Sequence, residues 1–173
     1  MTGKLMSGII VICALVAGVS MYYLQVYGFY DEVTPRGEGD VQLTSLITGA
    51  PEAIEYSNFE GIDAESSPIR YRACFKTSQS LGMLTETYAL ADLAEPRVAP
   101  DWFECFDAAQ IGADLEAGTA VAFLGQKNIE YGIDRVVAIY PDGSGYVWHE
   151  INDCGEKQYD GSAVSDDCPK GDN

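Results

Sequence analysis

The sequence predicts an α+β protein: one N-terminal transmembrane helix followed by a mainly antiparallel sheet domain with two short helices. Three observations predict it. Residues Leu5–Tyr30, LMSGIIVICALVAGVSMYYLQVYGFY, carry no charged side chain. Beyond them, short alternating or aromatic-rich runs recur between Gly, Pro and Asp stops, the signature of strands and turns. Two windows show helical spacing with end signals, and both are short. The strands interleave with these helices and finish in a hairpin, which favours a mainly antiparallel sheet. The expected organisation is a cytoplasmic stub and membrane anchor over 1–30, a linker over 31–40, a periplasmic α+β domain over 41–151 and an acidic, disulfide-closed tail over 152–173.

A helix over Leu5–Tyr30 would be ~39 Å long at about 1.5 Å per residue, more than the ~30 Å hydrocarbon core of a bilayer. Lys4 precedes the run, and Asp31 and Glu32 follow it. The positive-inside rule then leaves the N-terminus in the cytoplasm and exports the rest. A secretory signal is the rival reading. Gly18 and Ser20 are small residues before a cut at Met21, but the A-x-A pattern is absent and the run is longer than an h-region of about 7–15 residues. Tyr22, Tyr23, Tyr27, Phe29 and Tyr30 cluster at the exit side, where amphipathic rings sit among lipid headgroups. Ala14 and Gly18, four apart with Ala17 beside them, form a small-residue face that lets another helix approach. Cys13 reads as a small apolar filler within the run.

The segment DEVTPRGEGD at 31–40 has no periodic apolar positions and reads as a short extended linker. VQLTSLI at 41–47 reads as the first strand, and Gly49-Ala50-Pro51 stops it. The acidic stretch to Pro68 reads as a loop. Ile69–Phe75 alternates, with Ile69, Tyr71, Ala73 and Phe75 on one side and Arg70, Arg72 and Cys74 on the other. Thr77 or Ser78 can cap a short helix carrying Leu81, Leu84 and Tyr88. WFECF at 102–106 reads as a buried aromatic strand. Asp107 and Gln110 match a capping box, Ile111 and Leu115 share a face, and Gly118 ends the second helix. TAVAFLG is a strand, and IDRVVAIY, PDGSG and YVWHEI form a hairpin.

Charge and cysteine content narrow the function classes. The chain holds 10 Lys and Arg against 27 Asp and Glu, and every acid lies beyond position 30. Nucleic acid and anionic headgroups are therefore poor partners, because binding them relies on cationic side chains. The acidity reads first as a solubilising surface, and the sharper reading is attraction of a basic soluble partner, for example a basic electron carrier. Cys74, Cys105, Cys154 and Cys168 lie in the exported part, and their even number suggests two bridges. Of three connectivities, Cys74–Cys105 with Cys154–Cys168 is favoured: the first two each precede a Phe in a strand-like run, and the second two close a polar loop. No C-x-x-C spacing supports a metal or redox motif.

Other chemistry finds no motif. His149 is the single histidine, and Ser144 sits in a turn between strands, where no nucleophile elbow forms. Asp153, Glu156, Asp160, Asp166 and Asp167 do not follow EF-hand spacing. No catalytic residue, metal ligand or cofactor is assigned, and no enzymatic activity is expected.

MYYLQVYGFY, DVQLTSL, SSPIRYRACF, the LGMLTETY run, WFECFDAAQIGADLEAGTAVAFLGQ and IDRVVAIYPDGSGYVWHE together resemble a small family of alphaproteobacterial single-span membrane proteins of unknown function. The resemblance covers most of residues 1–151 and implies an inner-membrane and periplasmic setting. It brings no functional residues, and the cysteine-bearing tail is longer than it implies. The expected function is a non-catalytic accessory or assembly subunit of an inner-membrane, respiratory-type complex. The alternative is a free-standing periplasmic binding or sensing module, which a deep apolar pocket in the sheet domain would favour.

Overall fold

The structure is a computed structural model that describes residues 3–162, 164 and 168. The division into two compact units falls between Asp31 and Glu32. The first unit is helix α1 (Gly3–Tyr23), which continues through a π-helical turn at Leu24–Gly28. Together they form an apolar helix of 26 residues with a mean hydropathy of 2.2 over its most apolar window and no residue of that window buried. Unlike the core helix of a globular domain, it is apolar on all sides, with no polar face to turn toward water.

Strand β1 (Asp31–Glu32) straddles that boundary, and the second unit carries β2 (Gln42–Thr44), β3 (Pro51–Ala53), β4 (Ser57–Asp63) and β5 (Arg72–Lys76). Helices α2 (Leu81–Thr87) and α3 (Ala108–Glu116) follow, then β6 (Val121–Glu130), β7 (Ile133–Ile139) and β8 (Ser144–Ile151). The larger sheet has the order β1-β4-β5-β8-β7-β6, and β2 and β3 form a separate hairpin. The pairings β2–β3, β4–β5, β5–β8, β6–β7 and β7–β8 are all antiparallel. An apolar N-terminal helix followed by a mainly antiparallel α+β domain with two further short helices is the fold class read from the sequence.

Residues after α2 tie the two sheets together. Leu46 N–H donates to Thr87 O and Ala89 N–H to Thr44 O, while Ala91 N–H donates to Ala122 O and Leu124 N–H to Ala89 O. The 87–91 segment thus bridges β2 to the outer edge of β6, covering backbone groups that an open edge would leave unpaired. The enclosed core contains Val41, Leu43, Tyr71, Phe75, Leu84, Phe123, Val137 and Val147.

Several elements differ from the sequence expectation. The first strand is only β2: Val41 and Leu43 are fully buried, but the chain turns at Ser45–Ala50 and leaves Ile47 90% exposed. The acidic stretch to Pro68 is not a loop, since it contains β3 and β4. Its signal is broken by a bulge between Ser57 and Glu60 and by Asn58 at φ 51°, so alternation fails within the strand itself. The strand expected from Ile69 starts at Arg72, because Pro68–Arg70 is a single 3-10 turn. Ser80, rather than Thr77 or Ser78, caps α2 by accepting from Met83 N–H. WFECF at 102–106 is a pair of turns, with Phe103 N–H donating to Pro100 O and Phe106 N–H to Phe103 O. Its Phe103 and Phe106 are nevertheless buried, so the aromatic content reports covering of the sheet and not membership in it.

Helix α3 follows its expected signals: Asp107 accepts from Gln110 N–H, and Gly118 adopts φ 70° beyond the last turn. The linker and tail boundaries both shift. Residues from Glu32 belong to the compact domain, and Asp40 is buried, accepting from the Arg36 and Gly37 N–H groups and from Tyr56 Oη. At the other end, Asn152 and Cys154 are buried, and Asn152 N–H donates to Gly132 O. The base of the tail is therefore part of the domain, whereas the sequence placed all of 152–173 in a surface appendage.

Candidate functional site

Strand β8 has no solvent face. Val147 and His149 point with Tyr71 and Ala73 of β5 toward the main core, while Tyr146, Trp148 and Glu150 lie on the opposite side. That opposite side is covered by the 97–107 segment, which Cys105 ties to Cys74 of β5. Phe106 stands edge-on to Tyr146 and to Trp148, with ring centroids 5.9 and 6.3 Å away. Arg72, also on this side and 4% exposed, donates to the carbonyls of Ile69, Tyr71, Arg97 and Val98. Through the Arg97 and Val98 carbonyls this buried guanidinium helps keep an irregular segment seated where no ladder exists, while the Ile69 and Tyr71 carbonyls satisfy its remaining donors.

The main-core side holds a polar cluster of its own. His149 Nδ1 lies 2.6 Å from Pro68 O, and Arg135 Nε donates to His149 Nε2 at 3.1 Å. This pattern requires a neutral imidazole that carries its proton on Nδ1. Burial, with Arg135 beside it, pulls the His149 pKa down to about 4. Tyr71 stacks on His149 at 4.8 Å and presents its ring face to the Arg135 guanidinium at 4.5 Å. Burial pushes the Tyr71 phenol up to about 12. With every ring and charge closed off by neighbours, this cluster acts as a structural element of the core, consistent with a histidine of structural role.

A cleft of about 370 Å³ opens on the other side, between the 90–93 segment and strands β6, β7 and β8. Leu124 and Val136 form part of its wall, and Leu90 and Leu93 stand at its mouth, 56% and 51% exposed. Glu150, 5% exposed, lines it and accepts from Glu95 N–H at 3.2 and 3.0 Å and from Trp148 Nε1 at 3.3 Å. Burial pushes the Glu150 carboxyl upward, opposed by those donors and by the charge of Arg97. Asp134 is held in place at the cleft by Asn152 Nδ2 and Asn128 N–H. Among the described residues, no group of three or more His, Cys, Asp or Glu side chains is placed to hold a metal ion.

The remaining sequence-derived residues lie elsewhere. Ala14, Ala17 and Gly18 are exposed on α1, and a Cβ added at Gly18 would meet nothing within 4 Å. Tyr22, Tyr23, Tyr27 and Phe29 are exposed at the end of the same helix, Tyr30 is half-buried just beyond it, and Tyr23 and Tyr27 stack at 5.9 Å. Cys13 is an exposed free thiol on α1. The two bridges are Cys74–Cys105 and Cys154–Cys168, the pairing favoured from the sequence. Of the acidic calcium candidates, Asp160 accepts from Ser162 N–H and Oγ, while Asp166 and Asp167 lie outside the described residues. The cleft was not anticipated. Its one sequence signal was a Glu within YVWHEI, a run with no polar face, which already implied a carboxylate inside the domain.

Fold and site together define the class: a disulfide-bonded, mainly antiparallel α+β domain carried behind one apolar helix. Residues 41–169 match the sequence pattern of the family of unknown function (DUF6446), and the chain belongs to that family. The match includes Cys154 and Cys168, so the tail lies within the family and is not the extension that the resemblance implied. No curated protein and no solved structure matches the chain.

Proposed function

We propose that this protein is a non-catalytic accessory or assembly subunit of a bacterial inner-membrane complex of respiratory type, with its N-terminus in the cytoplasm and its acidic domain in the periplasm. The carrying observation is the 26-residue apolar helix with no residue of its apolar window buried within the chain. Such a surface has to be covered by lipid tails and neighbouring helices, since water is a poor solvent for it. Lys4 before the helix and Asp31 and Glu32 after it support the orientation. The disulfides support an oxidising compartment for the domain. The small-residue face at Ala14 and Gly18, exposed on α1, supports a helix partner, and the net charge of −17 supports attraction of a basic soluble protein.

Gentle detergent extraction of the native membrane tests this reading. The wild-type chain is expected to migrate with an integral membrane complex, and replacing Ala14 and Gly18 with Leu is expected to release it while the disulfide-bonded domain stays folded. A wild-type chain that runs alone and monomeric in every mild detergent overturns the subunit reading. The free-standing binding or sensing module would then stand, and the cleft beside Glu150 favours it as the second reading.

A further inference from the structure

We infer that the cleft between residues 90–93 and strands β6–β8 is a docking site for a basic peptide segment of a partner protein, one carrying Lys or Arg next to an aliphatic or aromatic side chain. The inference goes beyond the helix-mediated association proposed above and rests on different residues. Three features of the cleft carry it. At about 370 Å³ it is large enough to receive side chains and falls within the ~300–1,000 Å³ range of binding pockets. Leu90 and Leu93 expose more than half of their surface at its mouth. Leu90 sits between Ala89 and Ala91, both pinned to β6, so that lip is presented by a braced backbone, and Leu93 follows two residues beyond Ala91.

Charge selects the occupant. Asp92, Asp134, Glu150 and Asp153 line the cleft beside one lining cation, Lys127, with the charge of Arg97 also reaching Glu150, so acids still outnumber bases there. An acidic peptide or a phosphate would meet like charge from these groups and from a chain of net charge −17. A cationic group gains on both scales, and the apolar lips require the neighbouring residue to bury hydrocarbon. Glu150 is placed to receive that cation. A carboxylate has about four acceptor positions, and two donors, the Glu95 N–H shared between both oxygens and the Trp148 indole N–H, leave room for a further one.

The test uses the full chain in zwitterionic detergent micelles and selection from a displayed library of random linear peptides, with empty micelles as the control. Enriched peptides are expected to combine Lys or Arg with Leu, Ile or Phe and to lose affinity as salt rises. Leu93→Lys, at an exposed position that leaves the fold intact, is expected to weaken binding about tenfold or more through lost apolar contact and added repulsion. Glu150→Gln is expected to weaken it several-fold. Ile47→Lys, at the exposed turn after β2, and the Ala14→Leu, Gly18→Leu variant are expected to leave it unchanged. Failure here is therefore separable from failure of the subunit reading. No enrichment over empty micelles, enrichment of acidic or uncharged peptides, or unchanged binding by the Leu93→Lys variant overturns the inference.

Discussion

Replacing Cys74 and Cys105 together with Ala isolates the contribution of the bridge that holds the 97–107 segment on the sheet. The two cysteines are 31 residues apart in sequence. In the chain-entropy account, a closed loop of that length stabilises the fold by ~3.7 kcal/mol, a large share of the ~5–15 kcal/mol that holds a domain together. Noncovalent contacts remain after the bridge is gone: the edge-on packing of Phe106 on Trp148 and the Arg97 and Val98 carbonyls bonded by Arg72. The segment is therefore expected to stay seated, with the loss appearing as lower global stability and not as local detachment. Urea unfolding followed by Trp fluorescence reads this directly, because Trp148 lies fully buried beneath the segment. With a slope of ~1–3 kcal/mol per molar urea, the midpoint is expected to fall by about 1 M or more, while the slope rises because the chain without the bridge exposes more surface when unfolded. A shift of less than ~0.3 M would refute the reasoning and show that the aromatic and guanidinium contacts alone constrain the segment.

The single histidine allows an NMR titration without assignment ambiguity, and its imidazole is expected to titrate near 4; a midpoint near 6.5 would mean that it is neither buried nor faced by Arg135. Because the folded pKa is depressed, the stability His149 contributes is full above about 6.5 and is lost as pH falls toward 4. The loss amounts to ~3 kcal/mol, measurable as a lower urea midpoint at pH 4.5 than at pH 7. Gly145→Ala would drive its methyl into the ring of Phe75, which is 3% exposed and has no room to move. A destabilisation of about 2 kcal/mol or more is expected on thermal unfolding, and a neutral result would mean that β5 and β8 are not in register there. A compartment reporter fused after Asn173 is expected to be active only in the periplasm, with purified protein retaining residues before Met21; cytoplasmic activity would overturn the orientation, and a chain starting at Met21 or later would overturn the uncleaved anchor.

The elements legible in the sequence were those whose signals are local. The apolar helix follows from 26 residues without a charge, α3 from Asp107, Gln110 and Gly118, and the β7–β8 hairpin from PDGSG between two apolar runs. Each depends on chemistry within a few residues, which survives without knowledge of the rest of the chain. The favoured cysteine pairing is also present in the structure, for residues far apart in sequence, because Cys74 lies in strand β5 and Cys105 in the aromatic run that covers the same sheet.

The misplaced elements depend on what lies opposite them. β4 was hidden by its bulge and its exposed acids, and its pairing with β5 is a property of the partner strand and not of its own alternation. The 102–106 run carries the composition of a strand, but Trp148 and Tyr146 beneath it supply the burial, so it covers the sheet as turns. The cleft depends entirely on tertiary arrangement. Leu90 and Leu93 acquire their place only because the strap after α2 pairs with β6, and Glu150 reaches the cleft floor because β8 is covered on both sides. Sequence alone thus determined the apolar helix, the acidic balance and the antiparallel fold class, all of which follow from local composition and periodicity. Which side chains share a surface was decided by the tertiary structure, because that depends on strand order and on contacts between residues dozens of positions apart.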